Sequence, residues 1–298
     1  MKNLDLIHYI GGGYFTDKWM DVLIYEYITV VLAKIINPNL KVIGTGLGLG
    51  PFKNKLSLII LKLFTRNFDY IFVREAESLS LLEALKVDVY KKVLGDDAIL
   101  LLTDLTQLKS ESYLNCNNIT ALNLKSFPDH DYSLLKHKLE NCIKLLEDKN
   151  YKIKYFCFGR KPGPDDLSLF EALDNDYKNN VAIHDPYEEG WISFLENLAK
   201  ADIWLGFACH FNVILTLLSI PVISVHSGEY YKQKIAGVIK LLSNDSMVLS
   251  IDELVVQDLV EALGMAKSLH QGHIEDRVEY MYKEMKLEYL NAYRSVLK

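Results

Sequence analysis

Seven of the sixteen glycines fall in two short clusters, and each cluster directly follows an apolar run. The first run, Leu4-Asp5-Leu6-Ile7-His8-Tyr9-Ile10, ends in Gly11, Gly12 and Gly13. The second, Lys41-Val42-Ile43, ends in Gly44, Gly46, Gly48, Gly50 and Pro51. A buried strand that ends in glycines can turn sharply and approach a ligand with no Cβ in the way. In an open parallel sheet, the rim beyond the carboxyl ends of the strands is where ligands bind. The clusters therefore predict a small-molecule site on a nucleotide-fold sheet.

The rest of the chain keeps to that plan. Apolar runs at Lys41–Thr45, Asp69–Val73 and Lys91–Leu94 alternate with helical spacing over 19–36, 54–66 and 74–85. The second half repeats the alternation, with strands at 119–124, 151–158, 181–184, 203–206, 222–225 and 247–249. Helices are expected between them at 133–148, 165–173, 188–199 and 211–218, and a last helical stretch over 255–296, broken near Gly272. Strands alternating with helices of this length predict parallel sheets. The expected fold is α/β: two doubly wound, Rossmann-like domains facing a cleft. The polar stretch 104–118 marks the boundary, giving a first domain over 1–115 and a second over 116–270. Residues 271–298 form a C-terminal helix packing back on the first domain. A cleft between two such domains is the natural ligand site.

Composition narrows the function classes. At 298 residues with 50% hydrophobic and 24% charged residues, the chain can fill two cores. A net charge of −6 gives no electrostatic case for nucleic acid. The four cysteines, Cys116, Cys142, Cys157 and Cys209, form no Cys-x-x-Cys pair and fit a reducing cytoplasm. No run reaches the length of a membrane-spanning helix, and no signal-peptide core follows Met1. His270-Gln271-Gly272-His273 has no further ligands near it, so no metal is expected. Leu56–Phe64 is strongly apolar and flanked by Lys53, Lys55, Lys62 and Arg66. It is read as a buried helix, with contact at the inner face of a membrane as the other reading.

The site candidates follow from their positions. Gly11, Gly12 and Gly13 open a helix N-terminus suited to an anion. Asp17 is placed either to bond a hydroxyl or to cap a helix. Gly46 belongs to a loop that lacks the Gly-Lys-Ser/Thr ending of a P-loop. Arg74 ends a strand, with Glu75 and Glu77 as salt-bridge partners or a ligand as the other reading. His210 falls on the first turn after the strand 203–206, where an imidazole can exchange a proton with a reacting group. Lys232 and Lys234 follow the next strand and are suited to a phosphate.

In this order the segments resemble the polysaccharide pyruvyl transferase family. The residues that carry the resemblance are Asp5 to Gly13, Lys41 to Pro51, Val73-Arg74-Glu75 with Ser78 and Leu82, and Leu94-Gly95-Asp96-Asp97-Ala98. Ala201-Asp202, Gly206 to His210, Ile220-Pro221-Val222-Ile223 and Lys234-Ile235-Ala236-Gly237 complete it. The resemblance implies a fold like that of GT-B glycosyltransferases. It also implies transfer of a pyruvyl group from phosphoenolpyruvate to two sugar hydroxyls, with no cofactor besides that co-substrate. His210 is then the acid/base residue, and a sugar or lipid-linked oligosaccharide is the acceptor.

Three departures stand out. The family's Arg-Leu-His is here Ala208-Cys209-His210, so a cation beside the histidine is missing. Lys125 stands where the family often has Arg at the end of the second domain's first strand. The family usually has one or two βα units before the Gly-Gly-Gly strand, which predicts a shortened first domain. Losing one charge-assisted bond to a carboxylate costs about 1.5–3 kcal/mol, or about one to two orders of magnitude in donor affinity. Lys125, Arg160 and Lys234 are the candidates to replace it. The alternatives are a GT-B transferase with a nucleotide-sugar donor and a non-catalytic family member.

Overall fold

The computed structural model describes residues 4–103, 118–124, 131–158, 165–218, 220–242, 248–252, 256–268 and 271–297. The first half of the chain runs β1 (Leu6–Ile10), α1 (Met20–Ile36), β2 (Lys41–Leu47), α2 (Lys55–Thr65), β3 (Tyr70–Val73), α3 (Ala76–Ala84) and β4 (Tyr90–Val93). It continues through β5 (Ile119–Asn123), α4 (Tyr132–Asp148), β6 (Lys152–Phe156), β7 (Val181–His184), α5 (Trp191–Ala199), β8 (Ile203–Gly206) and α6 (Cys209–Leu217). Last come β9 (Val222–His226), α7 (Gly228–Leu242), β10 (Val248–Ser250), α8 (Val256–Ser268) and α9 (Gln271–Val296). The chain divides into two compact units, Met1–Leu101 with Glu229–Leu242 and Asp276–Lys298, and Leu102–Gly228 with Ser243–Glu275.

In the first unit four parallel strands lie in chain order, β1-β2-β3-β4. Successive right-handed crossovers in one direction put α1, α2 and α3 on the same face of the sheet. Alternation along the strands then decides what each face holds. Tyr9, Val42, Ile71 and Val73 join Leu23, Val30, Leu61, Phe64 and Leu82 of the helices in one apolar cluster. His8, Thr45 and Phe72 point the other way, where α9 packs: the rings of Phe72 and Tyr289 lie 5.2 Å apart. The buried side of α9 is Val278, Met281, Met285, Tyr289 and Ala292, a helical stripe. Lys92 ties its outer edge to Glu284 and Glu288 at 2.8 and 2.7 Å.

The second unit holds six parallel strands in the order β10-β9-β8-β5-β6-β7. Its core is aromatic: Trp204, Tyr155, Phe156 and Phe194 are fully buried. The Trp204 indole donates to Asn212 Oδ1 at 2.6 Å and the Tyr155 hydroxyl to Leu124 O at 2.6 Å, so both large rings are buried without stranding a polar atom. Helix starts carry the expected caps: Asn54 accepts from Leu56 N, Asp131 from Ser133 N, and Asp165 forms a reciprocal box with Ser168.

Where the observed elements differ from the sequence reading, local chemistry explains it. The helix expected over 188–199 is two, because Gly190 at φ 81 separates Pro186–Glu189 from α5. Lys232 and Lys234 do follow β9, on a helix, α7, for which the sequence reading gave no element.

Candidate functional site

The carboxyl rim of the first sheet holds a bonded chain of polar side chains. Tyr289 donates to Asp97 Oδ1 at 2.6 Å, and Thr45 Oγ1 donates to Asp97 Oδ2 at 2.9 Å. Because Thr45 donates to Asp97, it accepts from His8 Nε2 at 2.8 Å, which puts the ring proton on Nε2. Nδ1 of His8 then accepts from the Tyr293 hydroxyl at 2.8 Å. The glycine loops make room for this chain. Gly46 has φ 58, and a Cβ there would lie 2.7 Å from the Asp97 carboxyl carbon. Gly11, at φ 56, donates its N–H to Thr45 O at 2.8 Å, and Gly12 O accepts from Gly48 N at 2.9 Å. Gly13 is buried behind them.

Burial pushes the Asp97 carboxyl above its ordinary range, against the pull of the Tyr289 and Thr45 bonds. Burial also holds His8 below 6.5, with the Asp97 charge opposing. Below pH 6.5 the unfolded chain takes up a proton at His8 that the folded chain resists. The stability His8 contributes is therefore complete above pH 6.5 and is lost as pH falls toward the folded value. Asp97 acts in the opposite sense, so the two are separated by comparing variants. Between about pH 7.5 and pH 5.5 the wild type should lose more urea resistance than His8→Asn. Parallel losses would show that His8 carries no linked proton.

Arg74 is placed inside the unit rather than on the open rim. Its side chain is 2% exposed, and its Nε bonds Glu75 Oε2 at 2.6 Å. Ser78 donates to Glu75 Oε1 and accepts from Leu49 N at 2.8 Å, so the pair anchors the loop after β2. A Cβ at Gly48 would come within 2.4 Å of the guanidinium, so a larger residue there would displace it. Asp17 likewise holds backbone in place, because its Oδ2 accepts from Lys53 N at 2.5 Å and Asn54 N at 2.9 Å, just before α2. Burial works against its charge, but these donors and Lys53 hold its carboxyl below the ordinary value.

Beside this loop is an open groove of about 530 Å³. Leu49 to Phe52 form one wall, and Glu77, Ser80 and Leu81 of α3 with Gln233 of α7 form the other. Lys234 is the next residue of α7, in the first unit.

The second unit has its own rim. From β5 the chain builds outward through β6 and β7, then returns to lay β8 on the opposite side of β5. That reversal is the switch point at which doubly wound sheets take ligands. Phe207 N donates to Asn123 O at 3.2 Å, closing the end of β8 on the end of β5. His210 follows three residues later, exposed on the first turn of α6, with Ala208 at the cap. Asn212 and Phe211 behind it are buried, and the Phe211 ring stacks on Phe158. Lys125, directly beyond the β5 end, and Arg160 lie outside the described residues, as does His270. Cys142, Cys157 and Cys209 are buried and are not disulfide-bonded.

The predicted residues thus form two groups. Gly11, Gly12, Gly13, Asp17, Gly46, Arg74 and Lys234 belong to the first unit and His210 to the second. The sequence reading did not single out Thr45, Tyr289 or Tyr293. The available signal was the strand alternation that puts His8 and Thr45 on one face, and the four-residue spacing of Tyr289 and Tyr293.

Comparison with known proteins adds the following. The family model described as "Polysaccharide pyruvyl transferase" matches residues 2–227. A comparison with curated proteins returned no match. Among solved structures, the UDP-GlcNAc 2-epimerase of Methanocaldococcus jannaschii aligns with TM-score 0.56 at 12% identity, over 95% of this chain and 76% of that one. The sucrose-phosphate synthase of Thermosynechococcus elongatus aligns with TM-score 0.56 at 12% identity, over 98% and 74%. At such identities the likeness is one of fold: two parallel-sheet α/β domains of the GT-B kind.

Proposed function

The chain belongs to the polysaccharide pyruvyl transferase family, and from that premise we propose that it transfers a pyruvyl group from phosphoenolpyruvate to two hydroxyls of a sugar in building a cell-surface polysaccharide. The observation that carries the proposal is His210, exposed on the first turn of α6 at the switch point of the second sheet. The reaction needs a proton at C3 of the enol, which makes C2 electrophilic. One sugar hydroxyl adds to C2, and its proton balances the one given to C3. The second hydroxyl then displaces phosphate, which leaves with that hydroxyl's proton, and the product is a ketal. A positioned imidazole can give and recover protons in both halves.

The donor's carboxylate and phosphate require cations. Lys125, Arg160 and Lys234 are proposed for that role, in place of the arginine that Ala208 displaces. For the acceptor, the groove beside α3 offers Glu77, Ser80 and Gln233, groups suited to sugar hydroxyls, with Phe52 also in its lining.

The test is a thermal-shift titration with phosphoenolpyruvate, UDP, GDP and CMP in parallel. A ligand that binds only the folded state adds about 2.7 kcal/mol of stability at one hundred times its Kd and so raises the melting temperature. A shift with phosphoenolpyruvate supports the donor assignment without Arg at 208. A shift with a nucleotide alone would replace it by a nucleotide-sugar donor, and no shift at all would favour a non-catalytic member.

A further inference from the structure

The helical face of the first unit is apolar on its outside as well as its inside. Leu23, Val30 and Ala33 of α1 are buried against the sheet, as are Leu61 and Phe64 of α2. On the opposite side of α1, Ile28, Leu32 and Ile35 recur at four- and three-residue spacing and are 49%, 50% and 69% exposed. On α2, Leu56, Ile59 and Leu63 form the matching stripe at 53%, 55% and 39%. The two helices pack against each other on one face of the sheet, so their outer stripes form one surface. A soluble surface helix carries polar residues on that side. An apolar surface of this extent marks an interaction site.

The charges say what covers it. Lys55, Lys62 and Arg66 follow one another at seven- and four-residue spacing along one edge of the α2 stripe, in a chain of net charge −6. On α1, Glu26 turns inward to the Tyr9 hydroxyl, leaving Asp21 of the first turn as the exposed acid of that helix. A second copy paired two-fold on this face would offer the three bases only Asp21 as an exposed acid of these helices. An anionic lipid surface accepts both the apolar stripes and the bases. No helix among the described residues is long and apolar enough to cross a membrane.

We propose that α1 and α2 form a docking face for an anionic lipid bilayer, lying in its surface with the apolar stripes in the headgroup boundary. The face belongs to the first unit alone and stands whether or not the donor is phosphoenolpyruvate.

The experiment is flotation of the full chain with vesicles of phosphatidylcholine and phosphatidylglycerol, or of phosphatidylcholine alone, with no donor or acceptor present. The wild type should float with the anionic vesicles, and salt should release it. Lys55→Gln/Lys62→Gln/Arg66→Gln should weaken that binding about a hundredfold. Ile28→Ser/Leu32→Ser should abolish it while the folded circular-dichroism spectrum is retained, because half of each residue already lies outside the packed interior. Failure to float with anionic vesicles, equal binding to neutral ones, or a dimer in solution that the serine variant dissociates would overturn the proposal.

Discussion

Replacing His210 by alanine is expected to abolish phosphate release from phosphoenolpyruvate while the chain remains folded. Positioned acid–base groups contribute about 10²–10⁴ in rate, and a residue serving both the enol proton and the hydroxyl protons should fall at the upper end. His210 is exposed on the first turn of α6. The fold around it is held by neighbours that the substitution leaves alone. Asn212 accepts the Trp204 indole bond, and Phe211 stacks on Phe158. The readout is phosphate release with phosphoenolpyruvate and a sugar acceptor at saturation, together with the thermal shift by phosphoenolpyruvate. Loss of turnover with the ligand shift retained places His210 in the chemical step. Turnover surviving the substitution would move the acid elsewhere, and the His8–Asp97 chain at the other unit's rim would be the next place to look.

Strand–helix alternation was legible because each apolar run was short and ended in a turn signal. Gly11 followed β1 and Asn37-Pro38-Asn39 ended α1, where the Asn37 side chain also accepts from Asn39 N, whereas β2 runs on through Gly44 and Gly46 to Leu47 before Gly48 ends it. The position of His210 was legible for the same reason, since a strand ending at Gly206 fixes where the next helix starts. Side-chain partnerships between distant segments were not legible. Asp97 meets Tyr289 across 192 residues, and no local pattern encodes that pairing. Arg74 had two readings in the sequence, ligand or salt bridge. Its burial and its bond to Glu75 Oε2 favour the salt bridge, and both depend on packing that the sequence does not spell out. The helix α7 was missed although its Gly237 stood in a recognised motif. A Cβ there would come within 2.8 Å of Glu75 Cβ, so this glycine allows the close approach of α7 to the start of α3.

That packing makes Glu75 a residue whose loss should cost the first unit heavily. Arg74 and Glu75 are both 2% exposed as whole residues, and neighbouring backbone depends on both. Burial pushes the Glu75 carboxyl above the ordinary range, while the Arg74 charge and the Ser78 bond pull it back. Alanine at 75 would strip the carboxylate from a buried guanidinium, a change that costs about 3–5 kcal/mol in buried pairs. It would also remove the acceptor that orients Ser78, whose Oγ holds Leu49 N at the mouth of the groove. Glutamine keeps the shape and an acceptor for Ser78, so Glu75→Gln should cost less than Glu75→Ala. Removing both charges by Arg74→Met/Glu75→Leu should recover part of the loss, because the desolvation of the guanidinium disappears with it. Urea unfolding of the wild type and these three variants, followed by circular dichroism, measures the costs. A Glu75→Ala cost below about 1 kcal/mol, the range of an exposed pair, would mean that solvent reaches the guanidinium and that the pair does not anchor the loop. A cost in the buried range with weakened acceptor binding would tie the stability of this pair to the shape of the groove wall that Leu49 to Phe52 provide.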